Sequence, residues 1–201
     1  MKLSLLDRLL LLGMVLLAAY QIVVGIDPLP TGPIVAYTVA FGVLLVAGLL
    51  IFILGFDALD TPVVVVISTI IPLSLALGLI WDRLPGLRAP GLVGAALGLA
   101  AVLFSRSASV SPAARTLILA FVHGVAGLAI FALPIFMSVQ HEVHPAFALV
   151  GLGGALIGTG GLMLTFLRAG RPLLTRELTL RIFPALLFLT TACFVLGFNL
   201  G

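Results

Sequence analysis

Apolar residues run almost unbroken through seven stretches of the chain, at about 9–26, 33–56, 61–81, 89–104, 116–139, 145–167 and 182–200. A helix rising about 1.5 Å per residue needs roughly 20 residues to cross a bilayer, with about 17–25 usable. Each stretch is therefore read as a transmembrane helix. The fourth, between Pro90 and Arg106, is the shortest. Backbone facing lipid must satisfy its own hydrogen bonds, which leaves helices and closed barrels. The period-two alternation of a barrel strand is not visible. The expected fold is an all-α integral membrane protein of seven transmembrane helices in a single domain, 1–201.

Polar and turn-forming residues punctuate the runs. Asp27-Pro28-Leu29-Pro30-Thr31-Gly32-Pro33 reads as a rigid turn with proline at a helix start. Ser105 to Pro112 is a polar loop, and His144-Pro145 opens the sixth run. No segment is long enough for a second, soluble domain. Met1-Lys2 followed by an apolar run has the outline of a signal peptide. The run reaches Ile26, which is long enough to span, so a first transmembrane helix is expected.

Composition agrees. The chain is 62% hydrophobic and 8% charged, against roughly a quarter charged in soluble domains. The net charge of +3 comes without a basic patch interleaved with aromatics, so no nucleic-acid partner is expected. The sole cysteine, Cys193, lies in an apolar run. It permits no intrachain disulfide or cysteine-based metal site, and reads as a small packing residue.

The ten basic and seven acidic residues all fall outside the apolar runs. Charges within a membrane mark ion paths, proton relays and active sites, so their exclusion argues against ion-coupled transport and acid–base catalysis. With the N-terminus in the cytoplasm, Lys2, Arg8, Arg106, Arg115, Arg168, Arg171, Arg176 and Arg181 fall on the cytoplasmic side. Only Arg83 and Arg88 fall outside. That bias follows the positive-inside rule and requires an odd number of spans, so it supports the short fourth helix. A bacterial cytoplasmic membrane is the expected location, with the C-terminus outside.

The two halves share punctuation at an offset of 112: Pro33 with Pro145, Ala36 with Ala148, Gly42 with Gly154, Gly48 with Gly160, and Pro72 with Pro184. Segments 1–81 and 113–201 would then be parallel repeats of three helices, joined by a linker helix over 89–104. Parallel repeats are one arrangement used by membrane transporters. The three-one-three layout resembles that of the SWEET and PQ-loop sugar transporters and of vitamin transporters of similar architecture. The resemblance is one of topology. Those families carry a Pro-Gln pair in the first helix of each repeat, and this chain has none. No site residue is carried over from them.

Glycines crowd two spans. Gly151, Gly154, Gly158 and Gly161 share a face of the sixth, and Gly91, Gly94 and Gly98 lie on the fourth. Small stripes let helix backbones approach closely. Tight bundle packing is the favoured reading, and a smooth groove for a lipid tail, a quinone or a flat pigment is the functional alternative. His123 is the ionisable side chain set deepest in a span, flanked by Ala120, Gly124 and Gly127. Such a site has room for a haem or chlorophyll-type pigment on the imidazole. A bis-histidine haem needs a second histidine within the membrane. The simpler reading is a histidine that donates to a neighbouring helix carbonyl, or one that sits nearer the membrane interface.

His141, Glu142 and His144, between the fifth and sixth runs, form a candidate zinc or copper set; a solvated polar loop is the plainer account. Asp57 and Asp60 lie between the second and third runs, with Asp60 placed to cap the third helix. Ser68, Thr69 and Ser74 in the third run, and Thr190, Thr191 and Asn199 in the seventh, would line a polar path between helices three and seven if one exists. Intramembrane hydroxyls more often bond to their own helix.

The leading expectation is a non-catalytic polytopic membrane subunit or scaffold. It would pack with other membrane chains, with copies of itself, or with lipids or an apolar cofactor. A facilitator for a small neutral solute is the alternative, and an intramembrane enzyme comes third, because no catalytic constellation is visible.

Overall fold

Seven long apolar helices form where the runs predict them, in a computed structural model that describes residues 3–26, 29–60, 62–107, 109–168 and 174–201. They are α1 (Leu5–Val24), α2 (Thr31–Leu54), α3 (Pro62–Arg83), α4 (Arg88–Ser107), α5 (Pro112–Val139), α6 (Ala148–Arg168) and α7 (Arg176–Leu200). Short 3₁₀ turns, Gly55–Asp60, Pro85–Leu87 and Pro145–Phe147, lead into α3, α4 and α6. All seven are long and apolar enough to cross a membrane, as the helices of an integral membrane protein are. Lys2, the Asp27-Pro28 pair, Arg171 and the side chain of Asp60 lie outside the described residues, and with them the capping expected of Asp60.

Several helices begin earlier than their apolar runs, because capping side chains lie in the polar flank. At α1, Ser4 and Asp7 form a capping box. The Asp7 amide donates to Ser4 Oγ at 3.1 Å, and the Ser4 amide donates to Asp7 Oδ2 at 2.8 Å. Asp7 is buried there. Ser111 accepts from the Ala114 amide at α5, and Thr175 from the Leu178 amide at α7. α1 and α2 end on Gly25 and Gly55, whose φ angles of 73° and 75° suit a residue without Cβ. Pro72, Pro134 and Pro184 lie inside α3, α5 and α7. Each lacks an N–H, so the carbonyl four residues earlier loses its usual helical partner.

Six helices close into a ring in the order α1, α2, α3, α5, α6, α7, with α7 packing back on α1. α4 stands outside it, seated on α3 and α5. The ring is filled with side chains: Met14, Phe41, Leu79, Ile130, Val150 and Phe194, one from each ring helix, are all buried. Aromatic rings plug the end where α7 finishes. Phe198 meets Tyr37 at 4.6 Å between centroids and Phe147 at 6.1 Å, and the Arg83 guanidinium lies 4.9 Å from the Phe147 ring.

Glycine sets the separation at five of the six ring seams. Gly13 faces Phe188 across α1–α7, and Gly48 faces Met14 and Val15 across α1–α2. Gly78 lies under the Tyr37 ring across α2–α3. Gly151 and Gly154 lie against Phe131 and Ile130 across α5–α6. Gly153 and Gly197 lie against Phe194 and Val150 across α6–α7. In lipid no hydrophobic drive brings helices together, and such close approach supplies the attraction instead. The α3–α5 seam has no such glycine among the described residues, and it is the one that α4 covers.

A Cβ at Gly197 would come within 2.7 Å of the Val150 backbone nitrogen, which cannot yield as a side chain could. Gly197→Ala is expected to lower stability by about 1–3 kcal/mol, the usual range for overpacking. Gly42→Ala, with open space around it, is expected to be neutral or stabilising by up to about 1 kcal/mol. Unfolding titrations in mixed detergent micelles measure both.

Candidate functional site

The hydroxyls singled out in the third and seventh spans point mostly back at their own helices. Thr69 and Ser68 both donate to the Val65 carbonyl, at 2.7 and 3.0 Å, and Thr191 donates to the Leu187 carbonyl at 2.9 Å. Thr69, Thr190 and Thr191 are fully buried, and Ser74 is half-buried. Thr190 Oγ1 is buried with no hydrogen-bond partner. α3 and α7 are not neighbours: they stand on opposite sides of the ring, with Phe41 and Phe194 packed edge to face in between. These residues are therefore not gathered around an open path.

Asn199 has a different role from the one expected. Its Nδ2 donates to Gln21 Oε1 on α1 at 2.7 Å and lies at the same distance from the Val195 carbonyl. Gln21 Nε2 in turn donates to the Gly25 carbonyl at 2.7 Å. Gln21 is only 2% exposed. The pair joins the first helix to the last and closes the ring. Gln21 was missed in the sequence, although it is a lone amide inside an otherwise apolar run. The void beside it, lined by Gln21, Tyr37 and Thr38 among others, has about 10 Å³ of room, too little for a solute.

His123 sits half-buried on α5 with Nδ1 3.1 Å from the Leu119 carbonyl. That carbonyl belongs to its own helix, one turn earlier. Space for a larger body does exist beside it, since a Cβ at Gly124 or Gly127 would meet nothing within 4 Å. No second histidine lies in a helix among the described residues.

The candidate ligands of the loop after α5 are not gathered into a metal site. Among the described residues no three His, Cys, Asp or Glu side chains come together as a metal site. His141 occupies the left-handed region, φ 58°, in the turn that ends α5. His144 Nδ1 accepts from the Ala146 amide at 3.2 Å and caps the following 3₁₀ turn. The His144 imidazole thus serves the turn backbone.

A large cavity lies outside the ring. A cleft of about 870 Å³ opens between α4 and α5, with α3 as its floor. Its lining is almost wholly apolar, and includes Gly91, Gly94 and Gly98 from the glycine-rich face of α4. His123 is not part of it. No protein-family model, curated protein or solved structure matches the chain.

Breaking the Gln21–Asn199 bond tests what holds α1 to α7. Gln21→Leu and Asn199→Leu are each expected to destabilise the bundle. A double-mutant cycle should return a coupling of about 0.5–1.7 kcal/mol, the range for hydrogen bonds between membrane helices.

Proposed function

We propose that this chain is a non-catalytic polytopic membrane subunit or scaffold, which packs with other membrane chains, copies of itself, or apolar ligands. The observation that carries this reading is the dry ring. Its interior is filled by aliphatic and aromatic side chains, and most of the hydroxyls within it bond to their own helix. An intramembrane enzyme needs a nucleophile, an acid–base group or a metal at one depth; Cys193, His123 and Thr190 are not brought together by any hydrogen bond. A facilitator gains no support from the plugged ring end. Outside the ring, α4 leaves most of its surface uncovered, including Leu97 and Phe104, and offers a face to a neighbour in the bilayer.

The orientation we favour places the N-terminus in the cytoplasm of a bacterial cell. Eight basic residues then lie on that side and two on the other. A duplicated origin has mixed support. The packed pairs within the halves correspond four helices apart, α1–α2 with α5–α6 and α2–α3 with α6–α7, and the seams α3–α5 and α7–α1 join the two halves. The matched glycines do not occupy equivalent contacts, for Gly48 faces α1 whereas Gly160 faces α7.

Proteoliposomes separate the subunit from the facilitator. Small neutral solutes are expected to equilibrate no faster than through protein-free vesicles. In native membranes solubilised gently, the chain is expected to migrate in a defined assembly containing further copies or another chain in fixed ratio. Solute flux that Thr190→Val lowers, from a chain that purifies alone, would overturn the reading.

A further inference from the structure

We propose that the ring opens at its α3–α5 seam, at the end where α7 finishes, with the α7–α1 seam as hinge and Arg83 as the strap that holds it shut. The bundle divides into two halves of consecutive helices, α1–α3 and α5–α7, and two seams join them. These are the least extensively packed seams of the ring, and α3–α5 is the slighter of the two. In lipid the packing itself supplies the attraction between helices, so the ring parts first where it packs least.

What crosses between the halves is unevenly shared. On the α7–α1 side Gly13 faces Phe188, and Asn199 donates to Gln21. Three aromatic pairs, Tyr37–Phe198, Phe41–Phe194 and Phe41–Phe198, join α2 to α7 beside them. On the α3–α5 side no glycine among the described residues draws the backbones together. The link at the end of α3 is Arg83, whose guanidinium lies 4.9 Å from the Phe147 ring in the turn that leads into α6. The seam itself is thin. Ala76 on α3 and Ala126 on α5 belong both to the buried core and to the lining of the cleft. A parting here joins the ring interior to the cleft.

The links of α4 decide which end parts. Arg88 Nε donates to the Trp81 carbonyl at 2.8 Å, and a Cβ at Gly91 would lie 3.0 Å from the Ile80 side chain. That end of α4 is thereby pinned to α3. At its other end α4 finishes at Ser107 and α5 starts at Pro112, so a short connection keeps α4 and α5 together there. The end that can part is the one that Arg83 spans. The inference goes beyond the subunit reading and stands whichever partner the chain has.

Double electron–electron resonance on the full chain in lipid nanodiscs tests it, in a Cys193→Ala background. One pair of spin labels is carried by Val93→Cys on α4 and Phe136→Cys on α5, the other by Tyr20→Cys on α1 and Leu196→Cys on α7. All four positions are exposed. The first pair is expected to give two distance populations, and the second a single narrow one. Arg83→Gln should raise the longer population of the first pair about two- to fivefold over the shorter, the worth of an exposed cation–π contact. Arg83→Lys, which keeps a cation over the ring, should raise it less. Equal widths at the two seams overturn the proposal, as does a broader distribution at α7–α1. A longer population that Arg83→Gln leaves unchanged overturns the strap. The comparison of the two seams leaves Arg83 in place, so it decides the matter even where the Arg83 variants fail to fold.

Discussion

Helices in a bilayer gain nothing by hiding from water, so this bundle depends on how near its backbones can come. Glycine decides that at most of the ring. At Gly151 the space for a Cβ is already taken by the Phe131 carbonyl, and at Gly197 by the Val150 backbone. Such seams leave no room for adjustment. They suit a rigid frame better than a moving gate. α4 differs: it touches the ring through a single face, with Val102 and Ser105 buried, and leaves the cleft beside it.

Polar groups follow the same constraint. With no water to take up a stray donor, Ser and Thr side chains turn back to carbonyls three or four residues earlier. The Gln21–Asn199 bond joins side chains on two helices, and Arg88 Nε on α4 donates to the Trp81 carbonyl on α3. Charges stay at the ends, where Asp82 pairs with Arg83 at 2.6 Å and Arg8 lies over the Phe52 ring at 6.0 Å. The interior is built for packing, and it contains little with which to do chemistry.

Much of the architecture was legible because spanning length and charge exclusion act along the chain, one segment at a time. The seven helices could be read from their runs, including the short α4, whose existence rested on the sidedness of Arg168 to Arg181. Helix starts were less legible, since Ser4, Ser111 and Thr175 cap from outside the apolar stretches. The candidate site was read poorly for a different reason. Whether Thr190 and Thr69 share a path depends on ring order, which no local pattern encodes. Asn199 looked like a pathway residue because its partner, Gln21, stands at the far end of the chain. The α4 glycines read as a surface for close helix packing, yet they line an open cleft. Which helix they would leave uncovered depended on tertiary packing.

The bond between Gln21 and Asn199 spans 178 positions, and this sets an order of events during biogenesis. Chains are made at about 5–20 residues per second, so α1 waits roughly ten to forty seconds for its partner to be synthesised. Through that interval one N–H of the Gln21 amide has a partner at the end of its own helix, the Gly25 carbonyl, which lowers the cost of resting in lipid. Only when the last helix arrives does the amide oxygen gain Asn199. The ring therefore closes late, and the side chain that closes it is tolerable in the membrane beforehand.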